Sequence, residues 1–323
     1  MSRPSDRAGE DPEIPAVAFA RGIRGRHAAH FRRTGPDQPD SKARQKVWAP
    51  LLEFSWTGID YRLASDTWIK KTIPLELIDR KETEQFLSKE ERDACKETPH
   101  WLYFLRAVSD ELSPAAAVNS LLLALWIARP TATHSPVRFV QTPSEFSTVR
   151  VLDRFQWVPG AVADSITDAD LDVVANTLPP LRDVYVSGGR LRNAIVLTFR
   201  GCVSVDWQSA FVCFIAAAEA MLTYSDKPGV TERLANAYGR LVAKSASDRK
   251  VAAQRFRKVY AVRSDIAHGR SHDRNRSKRN LVDLAECSDL IRSLWRIVLE
   301  SEHIRRALER DDTGRQSFFL EKH

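Results

Sequence analysis

The sequence is poor in cysteine and lacks the motifs of common metal and nucleophilic sites. It has four cysteines in 323 residues, and none of them forms a Cys-x-x-Cys pair: Cys95, Cys202, Cys213 and Cys287. This spacing argues against a zinc knuckle and against a disulfide framework. No His-Glu-x-x-His or Gly-x-Ser-x-Gly occurs, and His27 and His30 lie among arginines that would repel a metal cation. We expect no metal and no cofactor.

Long apolar runs and phosphate-binding loops are also missing. The longest nearly apolar stretch, residues 114–128, is shorter than the roughly 20 residues that cross a bilayer. The paired glycines Gly188 and Gly189 lack the lysine and hydroxyl of a P-loop and the spacing of a dinucleotide fingerprint. The first residues, MSRPSDRAGEDPE, carry charges where a secretory signal has its apolar region. We expect no membrane contact, no nucleoside triphosphate chemistry and a cytoplasmic location.

Positive charge is concentrated in one segment. Residues 244–279 hold twelve Lys or Arg against three Asp, and residues 1–47 hold ten against six. The formal net charge of the whole chain is only +7, so the remainder is acidic. A basic segment on an acidic body favours a polyanionic partner such as RNA. A solvated helix face followed by a soluble loop is the alternative interpretation of the same charges.

The pattern of the chain predicts a mainly α-helical protein with a mixed α+β region before the bundle. Residues 1–46, rich in Arg, Pro, Asp and Gly, are predicted to be a disordered basic tail. Short strands and one buried helix are expected in residues 47–158, whose role the sequence does not indicate. Residues 159–310 are predicted to form a helical domain, and residues 311–323 a short tail.

Capping and breaker residues predict several helix ends. Ser113 and Pro114 suit the start of a helix that is apolar on nearly every face and ends near Ile127. Thr167 and Asp170 resemble a capping box for a helix that Pro179 and Pro180 are expected to end near residue 178. Helical patterns follow in residues 189–199, 207–224, 231–244, 249–268 and 281–299.

The most informative stretch is KVYAVRSDIAHGRSH, residues 258–272. Arg263 and His268 stand near the end of a predicted helix, which Gly269 is suited to terminate. Metal-independent RNA cleavage needs a group that titrates near neutral pH and a fixed cation beside the phosphate. Five residues of α-helix rotate a side chain by about 140°, so one unbroken helix does not project both groups together. Either the helix unwinds at His268, or a second copy of the chain completes the site.

These residues resemble the motif of the HEPN superfamily, specifically its Apea-like branch. The hallmark, Arg-x4-6-His within Tyr-x-x-Arg-Ser-x-aliphatic-x-His-Gly, is matched by Tyr260, Arg263, Ser264, Ile266, His268 and Gly269. The family also places an acidic residue in the preceding apolar helix, as Glu219 stands in AAAEAML. The resemblance covers about residues 160–300. It implies a helical domain that forms a homodimer and is frequently a metal-independent endoribonuclease of toxin–antitoxin or antiphage systems, with an antitoxin or defence protein as a further partner.

The resemblance assigns roles to the candidate site residues. Arg263 and His268 would be catalytic, with Glu219, Tyr260, Ser264 and Asp265 supporting them. Contacts to the RNA backbone are expected from five basic residues: Arg257, Lys258, Arg270, Arg274 and Arg276. In the branch that a nucleotidyltransferase antitoxin silences, a tyrosine stands two residues after the histidine. Here that position holds Arg270, so control by adenylylation at this residue is not implied.

Each candidate also has a structural interpretation. His268 suits an interaction with the last carbonyls of a helix, Tyr260 suits packing, and Arg263 suits an ion pair with Asp265 or Glu219. The basic residues after His268 suit a solvated loop. The alternative function is therefore a non-catalytic HEPN module that binds RNA or a protein through its basic loop.

Overall fold

The computed structural model describes residues 44–107, 111–151, 155, 165–224, 229–269 and 277–321. Within them six strands are present: β1 Arg44–Pro50, β2 Asp60–Ala64, β3 Thr67–Lys70, β4 Trp101–Ala107, β5 Val137–Gln141 and β6 Phe146–Arg150. The helices of the first half are α1 Leu75–Ile78, α2 Lys81–Glu84, α3 Lys89–Glu97 and α4 Pro114–Ala128. The second half is helical: α5 Asp168–Ser187, α6 Gly189–Val203, α7 Trp207–Leu222, α8 Val230–Val242, α9 Ala246–Ala267, α10 Ser277–Glu300, α11 Glu302–Leu308 and α12 Asp312–Glu321. The expectation of a mainly helical chain with strands in its N-terminal half is confirmed.

The six strands form one antiparallel sheet in the order β2-β3-β4-β1-β5-β6. Alternate residues of each strand project to opposite faces. On the first face Val47, Ile69 and Phe104 belong to the main hydrophobic core of the protein. On the second face Trp101 and Phe139 form a smaller core with apolar residues of α1 and with Leu87 and Cys95. The sheet therefore separates a large core from a small one.

Helix α4 lies at the centre of the large core. The Ser113 side chain accepts a hydrogen bond from the Ala116 N–H, and Pro114 occupies the first turn, as predicted. Nearly every later residue of the helix is buried. Helices α5 and α10 pack against it, and the Trp126 ring stacks on Phe214 of α7 at 5.6 Å between centroids. Because α4 shares one continuous core with both the sheet and the bundle, the boundary expected near residue 158 does not separate two cores.

Two arginines of α10 bind the carboxyl end of α4. Arg292 Nε donates to Trp126 O at 2.7 Å, and its Nη2 donates to the carbonyls of Ile127 and Ala128 at 3.3 Å. Arg296 donates to the same two carbonyls of Ile127 and Ala128. These carbonyls have no partner within their own helix, so the guanidinium groups satisfy them inside the core. Burial, followed by the charge of Arg296, lowers the pKa of Arg292 to about 10, which leaves the group charged at neutral pH.

The structure corrects the predicted end of the fifth helix. Pro179 and Pro180 lie inside α5, which continues to Ser187. A proline removes one backbone hydrogen bond from a helix, but Leu178, Leu181 and Val184 on the continuing helix are buried in the core. Tertiary packing thus outweighs the cost of the two prolines.

The structure also corrects the bounds of the predicted N-terminal tail and the interpretation of the C-terminal one. Strand β1 begins at Arg44, because residues 44–46 pair with β4; residues 1–43 of the predicted disordered tail lie outside the described residues. Most of the predicted tail 311–323 is helix α12. Its Phe319 is buried against Tyr224, and its Arg315 Nε donates to Thr223 O at 3.0 Å. In the described part of the chain, no helix has both the length and the apolar character needed to cross a membrane.

We expect Arg292→Met to destabilise the fold. The carbonyl of Trp126 would lose its guanidinium donor in a buried site, whereas Arg296 would still reach Ile127 and Ala128. We expect a loss of about 2 kcal/mol in the free energy of unfolding, measured by urea denaturation. The matched control is Arg306→Met on α11, whose side chain is 75% exposed and forms only a surface pair with Glu302. A similar loss in both variants would contradict this account.

Candidate active site

Helix α9 carries the residues of the predicted motif. The Ser245 side chain caps its start by accepting the Asp248 N–H at 3.1 Å. Ala253, Phe256 and Val259 recur at helical spacing and are buried, which orients the helix. Helix α8 packs closely against it, since a Cβ at Gly239 would lie 2.6 Å from a backbone oxygen of α9.

The helix ends where the sequence predicts. The last helical residue is Ala267, His268 is the C-cap, and Gly269 has a φ of 67°, a conformation that glycine adopts without strain. The backbone N–H of His268 donates to Ser264 O at 3.0 Å. The helix is thus intact through Ala267, and His268 lies at its exposed end.

Glu219 of α7 connects two of the motif residues. Its Oε1 accepts a hydrogen bond from the Tyr260 hydroxyl at 2.6 Å and lies 3.5 Å from Nη2 of Arg263. The Arg263 guanidinium carbon lies 5.6 Å from the centre of the Tyr260 ring, within cation–π range. The Arg263 side chain is 39% exposed to solvent. A carboxylate and a ring therefore hold this guanidinium in place while part of it still meets solvent.

Tyr260 is protonated at neutral pH in this arrangement. Burial, the hydrogen bond to Glu219 and the charge of that carboxylate together raise the pKa of Tyr260 to about 12. The phenol is therefore a hydrogen-bond donor to Glu219 over the whole physiological range, and it has no role as a general base there. Its ring also stacks on Phe256 at 6.1 Å, so the tyrosine packs as well as donates.

Helical spacing places Arg263 and His268 on different sides of α9. Arg263 faces α7 through Glu219, and His268 follows five residues later at the exposed end of the helix. That spacing places the two Cα atoms about 140° apart around the helix axis. Within the described residues the imidazole has no hydrogen bond or ion pair. The pair thus lies on two sides of the same helix end.

The remaining predicted site residues have different environments. Ser264 and Asp265 lie half-buried in the last turns of α9. Among the expected RNA contacts, Lys258 is exposed, but Arg257 is bound to Glu232 of α8, with Nη2 to Oε2 at 2.8 Å. The other three expected contacts lie outside the described residues: Arg270, Arg274 and Arg276.

A basic pocket lies between α8 and α9, and the sequence analysis missed it. It has a volume of about 330 Å³, and four of its seven lining residues are basic: Arg240, Arg249, Lys250 and Arg257. The remaining lining residues are uncharged, although the pocket's Arg257 is paired with Glu232. Arg249 and Arg257 stand eight residues apart on one face of α9, and the sequence alone shows this spacing. Arg240 comes from a different helix, so only the packing of the two helices reveals the pocket.

Other reactive side chains are inert or scattered. No group of three His, Cys, Asp or Glu residues suited to a metal ion is present in the described ranges. Full burial raises the pKa of the Cys202 and Cys287 thiols well above the ordinary value, so these are structural residues.

Comparisons with known proteins do not identify the site. No protein-family model matches the chain, and searches of curated proteins and of solved structures find no significant match.

We expect a measurable coupling between Glu219 and Tyr260. In a double-mutant cycle with Glu219→Gln and Tyr260→Phe, the interaction energy at neutral pH should be about 1 kcal/mol, because the hydrogen bond is charged but only half-buried. Since the folded state raises the pKa of Tyr260, this stabilisation should be complete below about pH 10 and disappear as the pH rises through about 12. Urea denaturation measures it. Tyr185→Phe is the control, because the described structure gives that hydroxyl no partner; coupling near zero for Tyr260 would refute the contact.

Proposed function

We propose that the protein is a metal-independent endoribonuclease of the HEPN type, with Arg263 and His268 as its catalytic residues and RNA as its substrate. Its cellular setting would be a toxin–antitoxin or antiphage system, which the resemblance alone suggests. The observation that carries the proposal is the Glu219–Arg263 pair between α7 and α9, five residues before an exposed histidine at a helix end. A guanidinium that is held in place but still half-exposed suits the binding of a phosphate that comes from solvent.

The reaction follows from the chemistry of these two groups. The 2′-hydroxyl oxygen attacks the adjacent phosphorus while a neutral His268 accepts its proton. The bond from phosphorus to the 5′-oxygen breaks, and the leaving oxygen takes up the proton that His268 has accepted. Arg263 stabilises the negative charge on the phosphoryl oxygens in the transition state. The products are a 2′,3′-cyclic phosphate and a 5′-hydroxyl.

A homodimer would supply both groups to one phosphate. The offset of about 140° means that one helix end does not direct Arg263 and His268 to the same point. A two-fold axis near the ends of the α9 helices would place Arg263 of one protomer beside the partner's His268. We therefore include dimerisation in the proposal.

The basic pocket between α8 and α9 suits a contact with the RNA backbone. Its lining residues Arg249 and Lys250 lie on the same helix as the motif, on turns nearer to its N-terminus. Phosphates beyond the cleaved bond would meet positive charge there. A non-catalytic RNA-binding module with the same fold is the alternative, and it would use this pocket without needing His268.

We expect purified protein to cleave single-stranded RNA in the presence of EDTA. His268→Ala should lower the cleavage rate about 10²- to 10⁴-fold, the usual contribution of a general acid or base. The control is His303→Ala, which removes an exposed histidine of α11 and should leave the rate unchanged. Gel analysis of end-labelled RNA measures the rate, and the cyclic phosphate identifies the mechanism. Cleavage that requires a divalent ion, or unaltered cleavage by His268→Ala, would reject the proposal.

Mixing two inactive variants tests the shared site. If each site combines Arg263 of one protomer with His268 of the other, equal amounts of Arg263→Gln and His268→Ala should recover about one quarter of the wild-type activity. Half of the dimers would be mixed, and each would hold one intact site. Sedimentation would confirm that the mixture contains dimers. No recovery from exchanging dimers would show that each protomer forms its own site.

A further inference from the structure

A row of aromatic side chains crosses the second face of the sheet. Trp68, Tyr103 and Trp48 are paired in register across β3, β4 and β1, so their side chains project to the same face. The ring centroids of Trp48 and Tyr103 are 4.3 Å apart, and those of Trp68 and Tyr103 are 5.7 Å apart. The ring planes are tilted by 39° and 35°, so the three rings lean against one another and form a continuous aromatic platform about 10 Å long.

This platform is at the surface of the protein. The smaller core, formed with residues of α1 and with Leu87 and Cys95, covers Trp101 and Phe139 on the same face. Trp48 lies at the edge of that core, and all three rings of the row keep part of their exposure. Large aromatic side chains are usually buried, so a row of three at the surface calls for an explanation by binding.

Positive charges surround the platform. The Arg62 guanidinium carbon lies 5.8 Å from the centre of the Trp68 ring, and Lys70 Nζ lies 5.1 Å from that of Tyr103. Arg44 and Lys46 are exposed on β1, where their register places them on the same face. None of the four is in an ion pair within the described part of the chain, and Arg62 also donates to the carbonyls of Ala64 and Ser65. One acidic residue, Asp60, lies beside Lys70 in register.

We propose that this face of the sheet binds single-stranded nucleic acid. The bases would pack against the exposed parts of the Trp48 and Trp68 rings, with Tyr103 supporting both rings between them. The backbone phosphates would be bound by four cations: Arg44, Lys46, Arg62 and Lys70. Aromatic platforms combined with cations are the usual means of binding single strands without sequence preference, because every base presents a π-face. The proposal does not depend on cleavage at the helical site.

The charges favour this occupant over two others. In a symmetric contact between two copies, each face would meet an identical face with four cations and one acid, and the two would repel. An acidic protein surface would complement the cations but would not require three aligned rings. A single strand uses both features, since its bases are apolar on their faces and its phosphates are anionic.

The test is binding of the full chain to fluorescently labelled dT12 and rU12, followed by anisotropy. The dT12 strand has no 2′-hydroxyl, so the proposed nuclease reaction does not consume it, and binding is measured separately from cleavage. We expect Trp48→Leu and Trp68→Leu each to weaken binding about tenfold. The control Trp207→Leu, which alters a half-buried tryptophan of α7, should bind as the wild type does.

Charge variants give a second readout that leaves the three aromatic side chains in place. Lys46→Gln combined with Lys70→Gln should reduce the slope of log Kd against log salt by about 1.4, since each phosphate contact on a single strand contributes about 0.7. Both lysines lie at the surface, so the variant is expected to fold. The control is Arg306→Gln, which should leave the slope unchanged.

Three results would overturn the proposal. The first is the absence of binding to either strand. The second is binding that survives both tryptophan variants but is lost in Arg249→Gln with Lys250→Gln, which would assign it to the pocket between α8 and α9. The third is equal binding of duplex DNA, or equal competition by polyglutamate, because neither ligand stacks bases on an open platform.

Discussion

The binding of the α4 carboxyl end by Arg292 and Arg296 is the interaction on which the architecture depends. Helix α4 belongs to the core that the sheet and the surrounding helices share, and it ends inside the protein. Buried carbonyls without donors would cost more than most side-chain contacts contribute. Two guanidinium groups from α10 remove that cost and at the same time fix the position of α10 relative to the sheet. The position of α10 in turn affects the rest of the bundle, because α10 packs against α7, α8 and α9.

The candidate active site is built on this frame by helix packing. Helix α7 contributes Glu219, and α9 contributes Tyr260 and Arg263. Helix α8 packs closely against α9 at Gly239, and the basic pocket lies between these two helices. The same helix therefore carries a held guanidinium, an exposed histidine and a surface of cations. This concentration of functions on α9 supports the proposal of an RNA substrate.

Local signals predicted much of the fold, and contacts distant in sequence explain the rest. The sequence predicted the helix cap at Ser113 and the helix end at Gly269, because each depends on a few neighbouring residues. The buried faces of the helices were predictable for the same reason. The order of the strands could not be predicted from the sequence, because β1 pairs with β4 and β5, which follow it by more than fifty residues. The continuation of α5 past Pro179 depends on core packing, and α12 depends on contacts with α7 and α8. At the site, the motif identified Arg263 and His268, but the ion pair of Arg257 and the pocket residue Arg240 required the neighbouring helix.

Helix α12 connects the C-terminal part of the chain to the candidate site. Its Arg315 bonds to Thr223 O just after the end of α7, and Thr223 N–H in turn donates to Glu219 O at 3.0 Å. Arg240 of α8 also donates to the carbonyls of Phe319 and Leu320 near the end of α12. Local unfolding of α12 would thus release the last turn of α7, where Glu219 stands, and one side of the basic pocket. In hydrogen-exchange terms, we expect an opening of α12 to expose the end of α7 as well, because Arg315 bonds to Thr223 O there.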